Sequence, residues 1–199
     1  FAGRRWRATG VDGRAKVVEV VPHNTGRVPK FDRLGQEPIH DRLAAEMLIV
    51  LMSKDLPDYL DENAKELLAA GRSNFAKLGV QRSRFIDAGS ATHVLTWRGT
   101  SANSLLAVLL TSMGFACETF DVGITLTGCP IEDASAVIAS IDGCPPIDDL
   151  GRYVENLIVE KYDAYVPEDL LRRAWVRRHE PLRESMSQLI RELADLTPD

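Results

Sequence analysis

RFIDAGSATHVLTWRGTSANSLLAVLLTSMGFACETFDVGITLT, residues 84–127, reads as two β-hairpins joined by a helix. Arg84–Asp87 and Thr92–Trp97 have strand character, and Ala88-Gly89-Ser90-Ala91 between them carries the turn. At Ser101–Met113 the period changes: Leu105, Leu106, Leu109 and Leu110 recur at helical spacing, and Gly114 closes the segment. Phe115–Phe120 and Ile124–Thr127 form the second pair around Asp121-Val122-Gly123, and Pro130 opens a further helix to about Ile141. Runs of strands with helices between and after them indicate an α+β fold rather than an alternating βαβ one.

Working outward, Ile39–Ser53 is expected to be helical, with Leu43, Met47, Val50 and Leu51 at helical spacing. A second helix is expected over Asp58–Leu78, with Asp61 and Glu62 early in it and Gly79 as its C-cap. Further upstream, Arg5–Thr9 and Ala15–Val21 flank Val11-Asp12-Gly13-Arg14, a hairpin signal in which Gly13 supplies the positive backbone angle of a tight turn. Val17, Glu19 and Val21 share one face of the second strand while Val18 and Val20 share the other, so a strand covered by something else is expected. Residues 23–37, with Gly26, Pro29 and Gly35, read as a loop. Downstream of Pro145-Pro146 the tail reads as helical throughout, over Ile147–Lys161, Pro167–Arg178 and Pro181–Leu196. The expected organisation is a basic β-hairpin and loop (1–37), a helical pair (38–82), a small ββαββα sheet-and-helix block (83–144) and a helical C-terminal tail (145–199), with 83–199 acting as one unit.

With 45% hydrophobic and 27% charged residues, the 199-residue chain can bury a core. Apolar runs such as Met47–Met52 and Leu105–Leu110 fall far short of the roughly 20 residues a bilayer span needs, so no membrane segment and a cytoplasmic setting are expected. Cys117, Cys129 and Cys144 are spaced too widely for a zinc knuckle and read as reduced structural thiols. The chain opens on Phe1 and Arg4-Arg5-Trp6-Arg7 with no signal-peptide core, and it reads as a piece of a longer polypeptide.

The net charge of −5 conceals a gradient. Residues 1–42 hold nine basic side chains against five acidic ones, whereas residues 85–150 hold Arg98 alone against eight acids. The basic end suits a polyanion and the acidic middle repels one. Within the basic end, Arg4, Arg5, Trp6, Arg7, Arg14, Lys16, Arg27 and Lys30 are the candidate nucleic-acid contacts. Cations along extended backbone can follow phosphates, and an indole can stack on an unpaired base. A core role for Trp6 with solvated arginines is the competing account. A second basic set, Arg172, Arg173, Arg177 and Arg178, reads more simply as pairing with Glu168, Asp169, Glu180 and Glu184. Trp97-Arg98-Gly99-Thr100 reads either as an anion-binding helix start or, more simply, as a capped helix with a buried indole.

No catalytic residue and no metal site are assigned. The chain has no Gly-Lys pair from which a phosphate-binding P-loop could be built. Asp61-Glu62 suits the first turn of a helix better than an Mg²⁺ box, and His40-Asp41 suits a helix start. The serines lack the nucleophile elbow that a catalytic triad would need.

Three stretches together carry a family resemblance. Gly3-Arg4-Arg5-Trp6-Arg7, Lys16-Val17-Val18-Glu19-Val20 and Gly26-Arg27-Val28-Pro29-Lys30-Phe31 are the first; Thr96-Trp97-Arg98-Gly99 with Asn103-Ser104-Leu105 is the second; Glu160-Lys161-Tyr162-Asp163 through Pro167-Glu168-Asp169-Leu170-Leu171 is the third. Together they resemble the region downstream of the motor domains in large helicase-related (Lhr-type) DEAD/DEAH-box superfamily 2 helicases. The resemblance implies an accessory C-terminal region that contacts DNA or RNA, as a single strand, or braces the motor domains of the same polypeptide. It implies no cofactor in this region, ATP and Mg²⁺ being bound by the motor domains of the parent enzyme. The alternative is a protein-interaction or oligomerisation domain that docks through the acidic block without touching nucleic acid.

Overall fold

The computed structural model describes residues 6–22, 38–160 and 162–196. The chain divides into two compact units, residues 1–37 and 38–199. The fold is α+β.

In the first unit, β1 (Trp6–Asp12) pairs antiparallel with β2 (Val17–Pro22). The turn differs from the expected one: the left-handed residue is Lys16, at φ +54°, rather than Gly13. Asp12 explains the shape, because its Oδ1 accepts from the backbone N–H groups of Arg14 and Ala15, both at 2.9 Å. An aspartate bonding its own turn stabilises a conformation that would otherwise call for glycine. At Thr9 the register slips, with Ala8 opposite Val20 and Gly10 opposite Glu19.

The second unit starts with α1 (Asp41–Met52) and α2 (Glu62–Lys77). Asp61 caps α2 by accepting from the Ala64 N–H at 2.8 Å, and His40 Nδ1 accepts from Arg42 N at 3.1 Å. Next come β3 (Phe85–Asp87), β4 (Ala91–Leu95), α3 (Thr100–Ser112), β5 (Ala116–Phe120), β6 (Gly123–Thr127) and α4 (Ile131–Ala139). The four strands form one antiparallel sheet in the order β3-β4-β6-β5. Alternation along the strands serves both faces: Val94 enters the larger core with Leu105, Leu106, Leu110, Ile124 and Leu126, while its neighbour Leu95 packs on a smaller one formed by Ala44, Phe75, Val80, Trp97 and Val122.

The tail begins with α5 (Ile147–Gly151), only five residues, and continues through α6 (Glu168–His179) and α7 (Arg183–Asp195). A continuous helix over Ile147–Lys161 does not form. The Arg172 guanidinium takes the Gly151 carbonyl as an acceptor, and a Cβ at Gly151 would stand 3.0 Å from Val176 Cγ2. The chain ends its helix where α6 crosses close to it. Residues Asp163–Tyr165 make a single 3₁₀ turn. On α7, Met186, Leu189, Ile190 and Leu193 face the larger core at i, i+3, i+4, i+7. Among the described residues no helix is long and apolar enough to cross a membrane.

Candidate nucleic-acid interface

Of the eight candidate contacts, Trp6, Arg7, Arg14 and Lys16 fall on the described hairpin; Arg4, Arg5, Arg27 and Lys30 lie outside the described residues. Every described hairpin residue except Gly10 is exposed, the valines included, so the expected cover over β2 is not found on this hairpin. Trp6 is 36% exposed, which removes the reading of it as a core residue.

Strand geometry then separates the four. Trp6 and Ala8 share a face with Val18 and Val20 across the strand pair, and the slip at Thr9 brings Val11, opposite Val18, onto that same face. Arg7, opposite Val21, points to the other side. Arg14 and Lys16 sit in the turn, about 20 Å along the strand from Trp6 at roughly 3.4 Å per residue. The structure therefore gives an apolar face led by one indole, with Arg7 on the opposite face and Arg14 and Lys16 at the far end in the turn, rather than a single cluster.

The other junction singled out, Thr96–Thr100, is occupied by internal bonding. Trp97 is 7% exposed and stands at φ +53°, with its ring edge-on to Phe75 at 6.0 Å. The Thr96 hydroxyl donates to Asn103 Oδ1 at 2.5 Å, Asn103 Nδ2 donates to the Arg98 carbonyl at 3.0 Å, and the N–H of Arg98 donates to Thr96 Oγ1 at 3.1 Å. The Gly99 N–H goes to Asp41 Oδ1 at 2.6 Å and that of Thr100 to the Ile39 carbonyl at 2.9 Å. The N–H groups of Arg98, Gly99 and Thr100 are thus already taken. Arg98 pairs with Glu192 at 2.8 Å, and the neighbouring cavity of about 150 Å³, lined by Asp41, Arg98, Ser185 and Gln188 among others, carries a carboxylate of its own. Ser185 there donates to the Leu182 carbonyl at 2.9 Å. Asp41 is the residue that local sequence reasoning undervalues: a helix-start acid that also reaches across 58 residues of chain to hold Gly99.

On α6 the expected pairing occurs once. Arg172 pairs with Glu168 at 2.6 Å; Arg173, Arg177 and Arg178 form no ion pair among the described residues and are exposed. The three cysteines are free, and burial is the main cause that pushes the Cys117 thiol up to about 12 and Cys144 to about 11. They are thiols, not thiolates, at neutral pH. Among the described residues no group of three or more His, Cys, Asp or Glu side chains gathers as a metal site would require.

No family model matches the chain, and neither does any curated protein or solved structure.

Proposed function

We propose that the chain is an accessory region of an ATP-dependent superfamily 2 helicase of the Lhr type, contributing single-strand contact through its N-terminal hairpin. The observation that carries this reading is the exposure of Trp6, Arg7, Arg14 and Lys16 on a strand pair with no buried residue among those described. A two-stranded hairpin is marginal by itself in water, and one that also exposes an indole and four valines on β2 gains by laying that face on something else. The surrounding sequence is the most cationic of the chain, and the resemblance supplies the parent activity. In this reading ATP, Mg²⁺ and the strand-separating work belong to motor domains of the parent enzyme.

A docking role has its own support, though from α1 rather than from the acidic block. Leu43, Met47 and Val50, at i, i+4 and i+7, are all exposed along one side of α1. Such a row suits the bracing of a motor domain.

The test is fluorescence anisotropy of a labelled single-stranded oligonucleotide, DNA and RNA in turn, against salt. Binding that weakens steeply with salt, and a Trp6→Ala variant about tenfold weaker or more, is expected. Undetectable binding at low salt, or equal affinity after Trp6, Arg7, Arg14 and Lys16 are all changed to Ala, would overturn the reading. A chain that binds no strand yet elutes as a stable dimer would favour the oligomerisation alternative.

A further inference from the structure

Helix α6 presents two unlike sides. Leu171, Arg172, Trp175, Val176 and His179 are wholly or partly buried, and Trp175 and Val176 pack on the larger core. Arg173, Arg177 and Arg178 lie on the exposed side at i, i+4 and i+5. One structural explanation covers part of this. Arg177 and Arg178 are in the last turn, where the helix dipole favours cations. Arg173 stands a turn earlier and gains nothing from the dipole.

The segment before α6 supplies the second component. Tyr165 is 85% exposed and ends the turn Asp163–Tyr165. That turn is tied down: the Asp163 carboxylate accepts from the N–H groups of Glu160, at 2.7 Å, and Val159, at 2.9 Å. These bonds first, and the positive charge of Arg178 after them, hold the Asp163 carboxyl below its usual value. Tyr165 lies two residues before Pro167, the N-cap of α6, and the three arginines follow along the exposed side of that helix. The hollow between this turn and the start of α6, about 260 Å³, is lined by the carboxylates of Glu155, Asp163 and Glu168, so a phosphate has no place inside it.

We propose that Arg173, Arg177 and Arg178, with Tyr165 as a stacking platform, form a second contact for the phosphate chain and an unpaired base of a single strand. This rests on the reading that the chain binds nucleic acid, and it places a contact in the second unit, far along the sequence from the cationic N-terminus. Three exposed guanidiniums with no ion-pair partner among the described residues supply the charge complementarity, and the exposed Tyr165 ring supplies the stacking surface.

The experiment uses the whole chain and the same labelled oligonucleotide. Arg173→Ala/Arg177→Ala/Arg178→Ala should weaken binding about tenfold and flatten the plot of log affinity against log salt by about 2, at roughly 0.7 per phosphate contact on a single strand. Changing the three to Lys should restore most of the slope, and Tyr165→Phe should bind like wild type where Tyr165→Ala does not. If wild type binds and the triple variant matches it in affinity and slope, this contact is overturned while the hairpin reading stands. If wild type itself fails to bind, both fall. Should the triple variant misfold by circular dichroism, Tyr165→Ala decides: unchanged affinity overturns the contact. Equal competition by a polyglutamate peptide would overturn it in favour of an acidic protein partner.

Discussion

Trp6-Arg7 and Trp97-Arg98 are the same two residues in the same order, and each adjoins an antiparallel hairpin. In the first pair both side chains are exposed and lie on opposite faces of β1. In the second the indole is buried against Phe75 and the guanidinium is paired with Glu192. The residues next along the chain make the difference. After Trp6-Arg7 the strand simply continues, and alternation leaves both faces to solvent. After Trp97-Arg98 comes Gly99, which lets the backbone of residues 39–41 approach, and four residues later Asn103, fully buried, which holds the Thr96 hydroxyl and the Arg98 carbonyl. A bulky residue at positive φ costs about 1–3 kcal/mol and persists only where its surroundings over-determine it. Trp97 has such surroundings, so its junction belongs to the architecture; the hairpin's described residues, Gly10 aside, are exposed instead.

The sharpest break of that contrast is at glycine. A Cβ on Gly99 would overlap the Ile39 carbonyl and stand 2.7 Å from the Asp41 nitrogen, both of them backbone atoms that cannot swing aside. Gly99→Ala should destabilise the chain by about 3 kcal/mol in urea unfolding. A Cβ on Gly13 meets nothing within 4 Å, so Gly13→Ala should stay within about 0.5 kcal/mol of wild type. Equal costs at the two sites would mean that the 39–41 segment yields, and that the junction is less rigid than its bonding indicates.

Next in size is Asn103→Ala, which leaves the Thr96 hydroxyl without its side-chain acceptor and orphans the Arg98 carbonyl. A loss of about 2 kcal/mol is expected. In a Trp6→Phe/Trp175→Phe background, which leaves Trp97 as the single tryptophan, the fluorescence of the variant should also shift to the red as Trp97 meets water. A stable protein with unshifted emission would show that Gly99 and Asp41 hold the indole without Asn103.

These two residues also mark where sequence reasoning runs out. The ββαββα order and the helix start at His40 are visible from period and local residue type, because strands and helix ends are set by neighbours a few positions away, whereas Asp61, read as a residue inside the second helix, is its N-cap. The Thr96–Thr100 junction is visible only as a choice between an anion site and a capped helix. Its outcome depends on Asp41, 58 residues upstream, which no local pattern connects to Gly99. The same limit explains the failed helix after Gly151: its carbonyl is claimed by Arg172 from another element. For the hairpin, composition identifies the candidate cations, but the slip at Thr9 that aligns Trp6, Ala8 and Val11 is a register property, and residue type alone does not reveal it. The three arginines of α6 without an ion-pair partner among the described residues escape such reasoning because helical spacing permits ion pairs that the rotamers adopted here do not make.

The smallest effects separate the two arginines most cleanly. Arg98 and Glu192 have side chains 33% and 43% exposed, and Glu192 also accepts from Gln188 at 2.9 Å, so losing Arg98 leaves the carboxylate partly solvated and still bonded. Arg98→Ala should then cost only about 0.5 kcal/mol at low ionic strength, fading as salt screens the pair in wild type. Its oligonucleotide affinity should match wild type. Arg7→Ala should do the reverse: no measurable change in unfolding, and a salt slope for single-strand binding smaller by about 0.7, the share of one phosphate contact. Both variants remove one positive charge, so they change the net charge of the chain equally, and a long-range effect of net charge would move their affinities together. Only a local phosphate contact at Arg7 predicts a slope change in one and not in the other. If the two variants lose affinity alike, the hairpin attracts the strand as part of a diffuse field, and the division between a structural Trp-Arg pair and a binding one holds for folding alone.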